Sequence, residues 1–243
     1  MNRLLISTLG LFFCAPIVSA QGLPNSELVE RIKMNRSHFE DLDHGASLSD
    51  QARRTGKDVV VNRRIFETET LCSSCPAPEA ANNPDVERAT HESDVVATGQ
   101  FIRKISALTA NEAFVFTDYE FLIEDVWKST SISTLQRPQR PGDEITITLP
   151  GGTVESNGHK VSASVSNRAP IQTGRTYLLY LQYLPDSRSY KPVSLDGLDI
   201  TGPLVTSLKT TNRPPHKDLL NNKVLFVQAM RASTNRAVQE ETK

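Results

Sequence analysis

The sequence predicts a mainly β protein. Its centre is a small closed or nearly closed barrel of five or six strands, with a packing helix after it and an irregular arm before it. Three observations carry this. Between residues 93 and 202, apolar side chains recur with period two in short runs separated by Gly, Pro and Asn. Beyond Pro215 the spacing becomes three and four. Before residue 93 no period is sustained, and prolines cluster.

The chain opens with a charged Arg3, an apolar run from Leu4 to Val18, and small residues at Val18-Ser19-Ala20. This is the pattern of a secretory signal peptide over residues 1–20, with cleavage between Ala20 and Gln21. It implies a secreted or periplasmic protein and an oxidising compartment. Cys14 lies within the apolar run, so it reads as part of the signal core and not as a lipid-bearing cysteine.

Residues 21–92 read as the irregular, partly helical arm. Asn25 or Ser26 can cap a helix through about Leu42, with Leu28, Ile32, Phe39 and Leu42 on one side. Val59-Val60-Val61 suggests a short strand. Pro76, Pro78, Asn82, Asn83 and Pro84 break regular structure.

The barrel domain is expected at 93–202. Val95 to Ile102 forms its first strand, with Gly99 marking a bulge. Val115, Thr117, Tyr119, Phe121 and Ile123 face inward on the second, with Asp118, Glu120 and Glu124 opposite. Ile145, Ile147 and Leu149 repeat the pattern before the turn Pro150-Gly151-Gly152. Val161, Ala163 and Val165 repeat it again. Tyr177-Leu178-Leu179-Tyr180-Leu181 is apolar without a break, which marks the most buried strand. Tyr190 to Leu195 and Leu198 to Ile200 complete the set. Residues 203–243 are a linker and a helix starting at Pro214-Pro215, with Leu220, Val224, Val227 and Met230 as its packing stripe and a frayed tail from Ser233.

Segments 93–99 (Ser-Asp-Val-Val-Ala-Thr-Gly), 119–128 (Tyr119 to Lys128), 142–147, 150–152 and 174–181 together resemble a class of uncharacterised secreted bacterial proteins with an OB-like, netrin-module-like barrel. The resemblance covers residues 93–200 and implies an architecture. Netrin-like metalloproteinase inhibitors present an amino-terminal Cys-x-Cys, whereas cleavage here would leave Gln21-Gly22, so no inhibitor mechanism is implied.

Net charge is −1, which gives no long-range pull toward nucleic acid or an anionic membrane. No second apolar run reaches the roughly 18 residues of a membrane span. The sharpest local motif is Cys72-Ser73-Ser74-Cys75, followed by Pro76 and Pro78. Pro76 disfavours the helix that a catalytic CxxC opens, and one pair supplies only half of a zinc site. The pair reads first as a local disulfide. Free or intermolecular thiols, a redox pair and a metal half-site are the alternatives.

His91-Glu92-Ser93-Asp94-Val95 lacks the second histidine of a zincin helix and reads as a solvated loop. Gly152 to Gly158-His159-Lys160 is one residue too long for a phosphate loop and has His159 in place of the lysine, so it reads as a hairpin loop. Asn35-Arg36-Ser37 fits an N-glycosylation sequon. Tyr177, Tyr180, Tyr183 and Tyr190 suit core or rim packing, with sugar or peptide binding as the alternative. Lys128, Arg137 and Arg140 form a basic patch too small for nucleic acid. No catalytic, cofactor-binding or metal-binding residues are assigned.

The expected function is therefore an exported, non-enzymatic binding or structural module. Its loops at 129–143 and 150–160 would face an unidentified macromolecular or envelope partner. The alternative is an exported thiol/disulfide protein using Cys72 and Cys75.

Overall fold

The computed structural model describes residue 30 and residues 45–63, 84–109, 111–130, 137–166, 168–193, 197–202, 205–208 and 223–241. The signal peptide with Ala20 and Gln21, all but one residue of the expected helix at 25–42, the Asn35 sequon, and Cys72 and Cys75 lie outside them. In chain order the described elements are α1 (Leu48–Thr55), β1 (Val59–Arg63), α2 (Pro84–Glu92), β2 (Val95–Leu108), β3 (Val115–Ser129), β4 (Glu144–Pro150), β5 (Gly152–Ser156), β6 (His159–Val165), β7 (Thr176–Leu184), β8 (Ser189–Pro192), β9 (Leu198–Asp199), β10 (Thr206–Ser207) and α3 (Lys223–Glu241).

Five strands close a ring in the order β2-β3-β4-β8-β7, and β7 pairs back onto β2. Every pairing in the ring is antiparallel except β4 with β8. This is a small barrel-like fold, as the period-two segments predict, with β9 and β10 added beside β7. The predicted strand at Val161, Ala163 and Val165 is β6, but it lies outside the ring because it pairs with β1 and β5. Closure needs a strand that bends. β2 does so at three register shifts against β3. At the second shift, a Cβ on Gly99 would lie 2.1 Å from the Leu122 carbonyl oxygen, so only glycine fits.

The barrel is filled, not hollow. Val95, Ala97, Phe101, Phe121, Ile123, Ile145, Ile147, Leu149, Tyr177, Leu179, Leu181 and Tyr190 pack inside it. Phe101 is the hub, with ring centroids 5.1–5.2 Å from Tyr119, Phe121 and Tyr177. The run 177–181 of β7 is apolar without interruption because both its faces are covered. Tyr177, Leu179 and Leu181 point into the barrel. Leu178 and Tyr180 point out into a second core with Val96, Trp127, Leu198, Ile200, Ala89 of α2, and Phe226 and Met230 of α3.

The β2–β3 hairpin runs past the barrel and carries a smaller three-stranded sheet, ordered β1-β6-β5, with β1 parallel to β6. Its core joins Leu48 and Ala52 of α1 to Phe114, Phe116, Val161 and Ala163. α1 begins at Ser47, whose hydroxyl accepts the Asp50 N–H at 3.0 Å, and ends at Gly56 in the left-handed region. With α2, three pieces of the irregular arm are therefore regular, and Pro84, expected to break regular structure, starts a helix.

The structure corrects several sequence expectations. The segment 150–160 is not an open loop. Gly151 and Gly152, both with positive φ, turn the chain from β4 directly into β5. His91 and Glu92 end α2 and are not loop residues. α3 buries Phe226, Met230, Ala237 and also Ser233 and Thr234, while Val224 is 64% exposed. The packing face is thus rotated from the expected stripe, and it continues through the part expected to fray, because Tyr180 and α2 offer a surface there. Asp118 does face away from the barrel interior, but that face is covered and Asp118 is buried. It accepts the Thr148 hydroxyl at 2.6 Å. Among the described residues, no helix is long and apolar enough to cross a membrane.

Candidate interaction surface

The pairings place the ends of the described ring strands at two poles of the barrel. β2 starts, β3 ends and β7 ends at the same pole, so residues 137–143 and turn 185–188 share it with the α2–β2 junction. β4 ends and β5 begins at the opposite end, where α1 and the smaller sheet sit. The two expected presentation loops therefore do not converge. One is a hairpin built into the smaller sheet. The described part of the other, residues 137–143, lies at the opposite pole with turn 185–188.

At that pole, residues 137–143 are folded around one side chain. The Asp143 carboxylate accepts the Arg140 N–H at 2.8 Å and the Arg137 guanidinium at 2.7 Å. The backbone is tied to β3 on both sides, Gly142 N–H to the Ile123 carbonyl and Ile123 N–H to that of Asp143. Gln139 N–H donates to the Ser129 hydroxyl at 2.8 Å, which pins the loop to the end of β3. Asp143 is largely buried, with 15% of its side chain exposed against 71% for Arg137. The loop thus holds a fixed shape and turns Arg137, Pro138, Arg140 and Pro141 to solvent.

Lys128 does not join this patch. It is buried, and its Nζ donates to the Thr90 carbonyl at 2.8 Å, locking α2 onto β3. Beside it, the Asp94 carboxylate accepts the Tyr183 N–H at 2.7 Å. Burial raises the Asp94 pKa, and the Tyr183 bond and the Lys128 charge oppose the rise. Ser93 is buried and its hydroxyl donates to the Thr90 carbonyl. These groups are the joint between helix and barrel.

Turn 185–188 flanks the loop across β4 and β8. Ser187 and Ser189 are buried, with hydroxyls 2.8 Å apart. Between them, exposed Arg188 takes a left-handed φ of 51°, which costs a side-chain-bearing residue on the order of 1 kcal/mol. Among the described residues two other non-glycine residues have positive φ, and each has a local reason. Glu112 uses its carboxylate to accept the Ser47 hydroxyl at 2.6 Å, and Asn157 occupies a two-residue hairpin turn. The Arg188 guanidinium has no ion pair or hydrogen bond among the described residues.

The tyrosines pack. Tyr177, Tyr180 and Tyr190 are at most 3% exposed, and Tyr183 is half-buried against Tyr190 with centroids 5.2 Å apart. Burial raises the pKa of the Tyr177 hydroxyl and pushes that of Tyr180 well above the usual phenol range. Among the described residues, no three His, Cys, Asp or Glu side chains come together as metal ligands would. Sequence reasoning missed Asp143 and Arg188. The only signal was the phrase Arg140-Pro141-Gly142-Asp143, a turn with an acidic residue that can bond back to its own backbone.

No family model matches the chain, and no curated protein matches it.

Proposed function

We propose that the protein is an exported binding module of the OB-like, netrin-module-like type, whose 137–143 pole meets a macromolecular or envelope partner. The observation that supports this reading is the clamped loop. A filled barrel cannot take a guest inside, so recognition falls to its surface, and binding groups concentrate on loops that a rigid frame holds. Residues 137–143 are such a loop, pre-ordered by Asp143 so that little entropy is lost on contact. Exposed arginines at its rim match the residue preferences of interaction surfaces.

Capture from the native envelope or medium tests the proposal. Wild-type protein is compared with a variant in which residues 137–142 are replaced by a glycine-serine bridge and with one carrying R188G. A partner retained by wild type and lost by the bridge variant, with both variants folded by circular dichroism, supports it. Equal capture by all three rejects it.

A further inference from the structure

We infer that Asn157 is a site of spontaneous covalent modification, converting to aspartate and isoaspartate at the tip of the β5–β6 hairpin. Ser156 pairs with His159, which leaves Asn157-Gly158 as the two turn residues. Both have positive φ, 53° and 76°, as a type I′ turn requires. Both are exposed. The reaction needs the backbone nitrogen of the next residue to reach the asparagine side-chain carbon. Glycine after asparagine removes the Cβ that obstructs that approach, and around Gly158 there is open space, with nothing within 4 Å of where a Cβ would stand.

The Gly158 nitrogen bonds to Cγ of Asn157, and the side-chain nitrogen leaves as ammonia, taking the Gly158 amide proton. A five-membered succinimide remains. Water then opens the ring at one of its two carbonyl carbons. Cleavage of the bond to Cγ leaves aspartate, and cleavage of the bond to the main-chain carbonyl carbon leaves isoaspartate.

Two other described asparagines, Asn62 and Asn111, are held differently. The Asn111 side-chain oxygen accepts the Ala113 N–H at 3.0 Å and the Thr109 hydroxyl at 2.8 Å. That of Asn62 accepts the Ser166 hydroxyl at 2.8 Å. The Asn157 side chain makes one long contact, its nitrogen to the Ser156 hydroxyl at 3.5 Å. Neither Asn62 nor Asn111 is followed by glycine.

The position gives the change a structural consequence. Isoaspartate inserts a methylene into the main chain, so a two-residue turn no longer joins Ser156 to His159 in register. The residues on either side hold the smaller sheet to α1 and its following loop. Ser156 donates to the Ser49 hydroxyl at 2.9 Å, and Lys160 N–H donates to Asp58 at 2.9 Å. Conversion therefore loosens α1 and β1 at the end of the barrel opposite the binding pole.

The test incubates folded full-length protein at mildly alkaline pH. Peptide mapping reads the amide-to-acid mass gain at residues 62, 111 and 157, and isoaspartyl-specific methylation reads the rearranged product. Urea-unfolded protein and N157Q run in parallel. The expected result is conversion at Asn157 an order of magnitude faster than at Asn62 or Asn111 in the folded protein, with faster amide exchange of β1 in the converted fraction and no signal at that position in N157Q. An Asn157 that stays intact in the folded protein while the unfolded chain converts shows that the turn protects it and overturns the inference. Absence of conversion in both states overturns it equally.

Discussion

Truncating Phe101 to alanine puts the barrel interior to the test. The side chain is fully buried and its ring meets three others at centroid distances of 5.1–5.2 Å. Loss of a buried phenylalanine costs about 3–5 kcal/mol, part transfer and part residual cavity. The three ring contacts, at about 0.5–1.5 kcal/mol each, make up a large share of that. The ring of strands resists inward collapse, so the upper half of the range is expected. Against a domain stability of about 5–15 kcal/mol, that is a large fraction. Ile102, the next residue on β2, is 42% exposed and points away from this cluster, so Ile102→Ala should lie within about 1 kcal/mol of wild type. Urea denaturation followed by far-ultraviolet circular dichroism gives both values, provided the slope is unchanged. A Phe101→Ala loss below about 1.5 kcal/mol, or two variants with equal losses, would refute the inward assignment of Phe101 and with it the barrel register.

Three further outcomes follow from the geometry. Gly152→Ala should destabilise by more than about 1 kcal/mol, because φ is 140° and the new Cβ would lie 2.2 Å from the Thr117 hydroxyl; a neutral thermal midpoint would contradict this. Ser233 buries its hydroxyl without a hydrogen-bond partner among the described residues, so Ser233→Ala should be neutral or stabilising by up to about 2 kcal/mol in denaturant melts, and a clear loss would show that the hydroxyl is satisfied. The Asp94 pKa is raised above 3.8 in the folded protein, so its contribution to stability is full below that value and is lost as pH rises through the folded pKa. Wild-type stability relative to Asp94→Asn should therefore fall with rising pH across the carboxylate range; a relative rise across a series of urea midpoints would contradict the assignment.

The barrel was legible because its strands alternate. Period two locates inward residues on β3 and β4, and the unbroken run at 177–181 locates the strand covered on both faces. What escaped depends on contacts distant in sequence. Nothing local to Asp118 says that its face is covered, and nothing in Val224 or Ser233 says which side of α3 meets the barrel. α1 had a legible start in Ser47 and stop in Gly56, but its apolar stripe is two residues, Leu48 and Ala52, too few to stand out. α2 had Pro84 as a starting residue, which is also a loop residue. The candidate pole was half legible. The segment 129–143 stood out by its lack of period and its prolines. Its fixed shape comes from Asp143 reaching back to Arg137 and Arg140, which composition does not reveal. The placement of 150–160 at the other end follows from β1 pairing in parallel with a strand about 100 residues away.

The central claim, that the 137–143 pole is the contact surface, is tested most directly by site-specific photocrosslinking in the native compartment. A photoreactive side chain replaces Arg140 in one protein and exposed Glu155, on the opposite end, in another. The account predicts a discrete, reproducible crosslinked partner from position 140 and none from position 155. Crosslinks to the same partner from position 155 alone, or from both positions equally, would contradict it.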